Sequence, residues 1–418
     1  MFALVAVPVF SLLGQPVLFE AGARAEGRTT SPAPGSPAPL QTNVLQLDGA
    51  FGVSTGSPDF LVSGAYAPRV IFYRPNIDGR DGADLLNEFR ARGDYRPSRT
   101  DRILADETFV YGQQNFSPLV AAPPGQTVPP PTDPRLVPLG TLPVISSASQ
   151  LEYQTATSRT SLLSARAGFT LSGGADGDAQ KVLPLQKTVS AGSAMRWATN
   201  QTDRISVGAN AAYSIFSNGN TSMEVGAEGT WHTQVGGPEE KGPLPALPGP
   251  GDDRARAPAL LVDLSAGVTA SETSGNVGQA SGTWTPGLVV AGAISRNQML
   301  GIDALNAALR ASLRTTIDRL TGDYYELAEG SATVGFAPGP WLVLQTTATA
   351  AKALTGVQQE GDTLLMGEVG VAVKLGNNLT FSTGVRGAWH QPADVTGLPP
   401  GTQWAGYATV GYADRGRF

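Results

Sequence analysis

A chain of 418 residues with 15% charged residues, 51 glycines, no cysteine and a formal net charge of −6 leaves few broad classes open. Without cysteine there is no disulfide framework and no Cys-based zinc, iron–sulfur or nucleophilic site. The charges are intermixed, with no basic block able to follow a phosphate backbone, so nucleic acid is not an expected partner. No run of about 18 apolar residues could cross a bilayer as a helix. A mean hydropathy of −0.07 nevertheless suits a membrane barrel, whose strands alternate lipid-facing and lumen-facing residues.

At the start, Phe2 to Leu13 resembles the apolar core of a secretory signal, and Ala23-Arg24-Ala25 has the form of a small-residue cleavage site. The positive region expected before that core is missing, so the expectation is that Met1 lies inside a longer natural signal peptide. Residues 1–14 therefore read as a signal-peptide remnant and 15–418 as an outer-membrane barrel. Val17 to Glu26 also alternates, and the expectation is a first strand there rather than a cleavage region.

Period-two alternation recurs along the chain and is the primary mark of a half-buried strand. Leu163, Ala165, Ala167, Phe169 and Leu171 oppose Ser164, Arg166, Gly168, Thr170 and Ser172. Ile205, Val207, Ala209, Ala211, Tyr213 and Ile215 share a face, as do Met223, Val225, Ala227, Gly229 and Trp231, with the hairpin signal Asn218-Gly219-Asn220 between the two runs. Leu379, Phe381, Thr383, Val385 and Trp389 repeat the pattern. One such strand fits a soluble sandwich equally well, but sandwiches stop at about seven to nine strands.

Alternating short turns with longer loops gives eighteen strands, near 16–26, 42–54, 60–73, 84–97, 102–116, 143–156, 160–172, 186–198 and 204–216, then 222–235, 258–271, 282–295, 302–316, 322–336, 341–354, 362–375, 378–390 and 402–418. The fold expected is all-β, a single antiparallel transmembrane barrel. An even count places both ends on the periplasmic side, where the turns Ser98-Arg99-Thr100-Asp101, Asn200-Gln201-Thr202-Asp203, Pro338-Gly339-Pro340 and Gly376-Asn377-Asn378 also fall. The Pro-rich stretch 117–141 becomes a long outer loop. The Pro-rich connection 236–257 lands on the periplasmic side, as a disordered turn or a contact surface. Asp84 to Gly93 and, more strongly, Ala304 to Leu320 also read as amphipathic helices; alternation favours a strand for the latter, with Leu305, Ala307, Leu309, Ala311 and Leu313 toward lipid.

Nothing in the chain reads as a catalytic centre, a metal constellation or a cofactor cradle. Gly173-Gly174 runs into a loop without the strand-to-helix context a phosphate cradle needs. The two histidines, His232 beside Trp231 and His390 beside Trp389, fall near opposite ends of the expected barrel and read as interfacial residues. The inward faces collect charges of both signs. Candidate lumen-lining residues are Arg166, Arg196, Glu224, Glu228, Arg310, Arg314, Glu368 and Arg386, with Glu20, Arg24, Glu88, Arg90, Arg92, Asp94, Arg96, Asp263 and Lys374 beside them. An Arg or Lys turned to lipid at the midplane costs about 2–4 kcal/mol, so this placement argues for a water-filled interior. The ordinary reading is a porin wall; the sharper one is a ladder for a specific substrate. The six tryptophans, mostly toward strand ends, read as an interfacial girdle, with sugar stacking as the sharper alternative. Phe418 closes the last strand as an aromatic assembly signal would, although Asp414 and Gly416 depart from the apolar pattern expected before it.

The phrases LVSGAYAPRVIFYRPN, LLNEFRARGDYRPSRTD, TFVYGQQNFSPL and LSGGADGDAQKVLPLQ, with the strand order, resemble the integral outer-membrane barrels of myxobacterial polysaccharide-export clusters. That resemblance implies an eighteen-stranded porin in the outer membrane, partnered by a periplasmic OPX protein and passing a polysaccharide. It transfers no functional residue. A general diffusion porin, which would narrow its lumen with an inward-folded loop, and an adhesion or motility barrel are the alternatives.

Overall fold

The computed structural model describes residues 17–31, 42–57, 59–74, 82–117, 119, 134–139, 141–200, 202–235, 260–275, 284–297, 305–356, 359–376, 378–393 and 399–417. The candidate signal remnant, most of the 117–141 loop, the 236–257 connection and Phe418 lie outside these residues.

The strands are β1 (Val17–Thr30), β2 (Thr42–Ser57), β3 (Phe60–Arg74), β4 (Ala83–Tyr95), β5 (Asp101–Asn115), β6 (Thr141–Ala156), β7 (Ser161–Gly174), β8 (Gln186–Ala198) and β9 (Asp203–Phe216). They continue as β10 (Thr221–Val235), β11 (Leu260–Ser274), β12 (Thr285–Asn297), β13 (Leu305–Ile317), β14 (Tyr324–Gly339), β15 (Leu342–Ala353), β16 (Thr363–Leu375), β17 (Leu379–Gln391) and β18 (Gly401–Arg417). Each pairs antiparallel with its sequence neighbours, and β1 pairs with both β2 and β18, so the 18-stranded sheet closes into a ring without edges.

Closure lets one face of every strand be apolar and the other polar, since all backbone groups are bonded within the wall. Val207, Leu309 and Val385 are among the outward residues, each more than half exposed. Their alternates point inward. The stretch from Ala304 that also read as a helix is strand β13, paired with β12 from Asn306 to Leu313 and with β14 from Leu305 to Ile317. Tertiary pairing overrides helix propensity here because an isolated helix would leave β12 and β14 as open edges. The segment from Asp84 likewise belongs to β4, paired with β3 and β5.

The two ends of the barrel differ. At the end holding residues 17 and 417, short turns are stitched by side chains: Ser98 Oγ accepts from the amides of Thr100 and Asp101 at 3.1 and 3.0 Å, and Asn200 Oδ1 from those of Thr202 and Asp203 at 2.8 and 2.6 Å. At the other end the connections carry structure of their own, a 3-10 turn at Pro134–Leu139 and a short helix, α1 (Gly177–Val182), capped by Asp176. The β9–β10 hairpin turns at Gly219, whose φ of +90° is a left-handed conformation that glycine accepts without a Cβ clash. Trp197, Trp231 and Trp341 sit toward the short-turn end and Trp284, Trp389 and Trp404 toward the other, as expected for two interfacial girdles.

Candidate functional site: the barrel lumen and its mouth

Three features occupy the inner surface. The first is a ladder of paired charges on β16–β18 and β1–β3. Asp48 accepts from Arg24 (2.7 and 2.9 Å), from Arg69 Nε (2.7 Å) and from Gln46 Nε2 (2.9 Å). Gln46 accepts in turn from Arg28 at 3.0 Å, and Arg28 lies 3.3 Å from Glu26. Glu26 takes both terminal nitrogens of Arg386 at 2.7 and 3.1 Å, a bidentate geometry, and the hydroxyl of Thr409 at 3.3 Å. Arg386 reaches on to Glu368 at 3.1 Å and lies 4.0 Å above the ring of Tyr407, whose hydroxyl donates to Glu368 at 2.6 Å. Glu26 and Gln46 are fully buried by this packing although they face a channel. Such groups hold together because each charge meets an opposite one.

The second feature is the wall formed by β5–β9, where the inner polar groups stand apart. Across it the register aligns Asp106 with Gln150, Gln150 with Gly168 and Gly168 with Ser190, while Arg166 faces Gly192 and Gly192 faces Asn210. The wall is hollowed into a depression of about 370 Å³. Gln150, Arg166 and Asn210 have no hydrogen-bond or ion-pair partner among the described residues. Asp106 meets Arg92 loosely at 3.7 Å with both side chains half exposed.

The third is a strap at the mouth. Residues expected to form a purely outer loop between β5 and β6 instead turn inward where they are described. Leu119 packs against Ala388 and Ala405, with Met366 beside them, on the ladder side of the ring. Leu136 joins Phe116, Val144 and Leu183, with Leu320 of the β13–β14 connection against them. Arg135 lies 3.4 Å from Asp318 and 3.9 Å from Asp362, both buried carboxylates on other connections. Gln359 donates to Asp318 at 2.7 Å, and Asn220 and Ser222 bond the carbonyls of Thr321 and Gly322. A Pro-rich composition announces a loop but not its direction; the pairing of Arg135 with acids far along the chain carries that information.

Of the candidate lumen residues, Arg386 and Glu368 belong to the ladder. Arg314 pairs with Glu329 at 3.0 Å, and Arg310 precedes it on β13 opposite Ser331. Glu224 faces Ala212 and Ser271 across its neighbours, Glu228 faces Gly208 and Gly267, and Arg196 faces Ser206. Glu26, Arg28, Gln46, Asp48, Arg69 and Tyr407 were not among the candidates. Glu26 already lay on the face of Arg24 within the expected first strand, and extending that strand to Thr30 adds Arg28 to the same face. The histidines sit at opposite ends, and each is more than interfacial: His232 Nδ1 lies 2.6 Å from Asp263 and His390 Nε2 lies 2.8 Å from Asp362. Asp414 sits on the outer face of β18 at the short-turn rim, where Asn378 donates to it at 3.3 Å, so its charge is met outside the apolar belt. Among the described residues no group of three or more acids or histidines could hold a metal.

Comparison with solved structures finds the same architecture. A BenF-like porin from Pseudomonas fluorescens Pf-5 aligns at 9% identity with a TM-score of 0.50, covering 95% of this chain and 98% of that one. OccK9 (OpdG) from Pseudomonas aeruginosa aligns at 8% identity with a TM-score of 0.50, covering 97% and 99%. These likenesses speak to the fold alone. No curated protein matches the chain. The closed ring of eighteen antiparallel strands is the architecture of an outer-membrane β-barrel. A model of the EpsX exopolysaccharide export family matches residues 14–241, more than half of the sequence, and the chain belongs to that family.

Proposed function

We propose that the barrel passes a surface polysaccharide outward across the outer membrane, working with a periplasmic OPX protein docked on its short-turn rim. Membership of an exopolysaccharide export family carries this reading. The inner wall supports it. Arg166, Arg196, Glu224, Glu228, Arg310, Arg314, Glu368 and Arg386, with Ser, Thr and Gly between them, make a polar lining of mixed sign. A long hydrophilic chain must slide past many positions, and such a wall suits passage better than a deep apolar pocket that would hold a ligand. Phe418 is proposed as the assembly signal, and the 236–257 connection as the first candidate contact for the OPX partner.

Deleting the gene should abolish one surface polysaccharide while its cytoplasmic precursors persist, and the purified barrel should retain the OPX protein on a column. A deletion strain that exports every polysaccharide but loses uptake of small solutes would replace this reading with that of a diffusion porin. The inward strap is the observation that favours that second reading, since a diffusion porin would narrow its lumen with an inward-folded loop.

A further inference from the structure

We infer that the depression on the β5–β9 wall is a saccharide subsite that takes a short stretch of an uncharged, polyhydroxylated sugar chain. The inference deepens the export reading and rests on it. At about 370 Å³ the hollow lies at the small end of ligand sites, which run from about 300 to 1,000 Å³. Its depth comes from missing side chains. A Cβ on Gly168 would stand 2.8 Å from Ser190 Oγ, and one on Gly192 would stand 3.0 Å from Arg166 Nε, so these glycines keep the floor low and let Arg166 lie across it.

The groups around that floor match hydroxyls on a ring. Gln150 and Asn210 each bring an amide able to donate and accept, Arg166 brings a planar fork of donors able to span neighbouring hydroxyls, and Asp106 only accepts. Sugar hydroxyls both donate and accept, so they satisfy all four. One acid and one base leave the hollow without net charge, which disfavours a polyanion. Gln150, Arg166 and Asn210 also lack partners among the described residues, so a passing chain meets them free, whereas the ladder's groups are already engaged. Among the described residues no aromatic ring lines the hollow, which keeps contact short-lived and lets the chain move on.

The test is sugar block of the full-length barrel in planar bilayers, with maltohexaose as probe. The Gln150→Ala/Asn210→Ala double variant should weaken block about tenfold, from two lost hydrogen-bonding groups. Val207→Ala, on the lipid face of the strand that carries Asn210, should leave block unchanged. Saturation-transfer NMR in detergent supplies the same comparison if the channel passes too little current. Equal binding by the double variant, stronger binding of oligogalacturonate than of maltohexaose, or no maltohexaose binding to the unaltered protein would each overturn the subsite. None of these results touches the export reading, which the deletion strain decides separately.

Discussion

The inner wall on β16–β18 and β1–β3 and the inner wall on β5–β9 are built from similar residue types and end in opposite states. On the first, arginines and acids interlock until Glu26 and Gln46 lose all contact with solvent. On the second, glycines and alanines hold Gln150, Arg166 and Asn210 apart. On the ladder, opposite charges such as Arg24 and Asp48 or Arg386 and Glu368 face one another across adjacent strands and close into ion pairs, whereas on the second wall Arg166 stands between Gly192 and Glu152 without closing to an ion pair among the described residues. One wall is a brace, and the other is a surface.

Breaking the brace should have the largest effect. Glu26→Ala removes the buried carboxylate that Arg386 and Arg28 share, leaving them Glu368 and Gln46, and removing one partner of a buried pair typically costs about 3–5 kcal/mol. Urea unfolding of the barrel in detergent should shift accordingly, and a midpoint equal to that of the unaltered protein would show the ladder to be ornamental. Arg135→Ala comes next: it leaves Asp318 and Asp362 short of a partner, a loss of about 1–3 kcal/mol confined to the mouth. Single-channel conductance should rise as the strap loosens from the β13–β14 and β15–β16 connections. Unchanged conductance would mean that the strap does not limit the pore.

Much of this arrangement was legible in the residues. All eighteen strands lie where alternation placed them, with ends displaced by a few residues, because a period of two survives any error in loop length. The first strand runs on to Thr30, four residues past its expected end, and that extension carries Arg28 and seats Glu26 in the ladder. A closed barrel sets β1 beside β18, but alternation does not encode the register across that seam, so the pairing of Glu26 with Arg386 on β17, 360 residues away, was out of reach. The inward turn of the strap was hidden for the same reason, since the partners of Arg135 lie in other connections.

Cysteine labelling sharpens the contrast with smaller perturbations. A water-soluble maleimide should react readily at position 166, slowly at position 26, and not at position 207, 225, 309 or 385 in the membrane. Equal reaction at 166 and 26 would erase the distinction between the walls. The smallest expected effect is that of Arg166→Ala on stability, within about 0.5 kcal/mol, since an exposed and unpaired side chain contributes little to the fold. A loss as large as that of Glu26→Ala would mean that this wall, too, is a brace.

The ladder also sets the order in which the ring can be completed. Its central acceptor, Glu26, belongs to the first strand, while Arg386 and Thr409, which satisfy it, belong to the last two. Contacts that distant in sequence form late, because the loop entropy must be met before they are rewarded. A partly zipped sheet therefore holds a carboxylate with half its donors absent and two strand edges unpaired. Joining β1 to β18 therefore completes the hydrogen-bonded ring and the donor shell of Glu26 together.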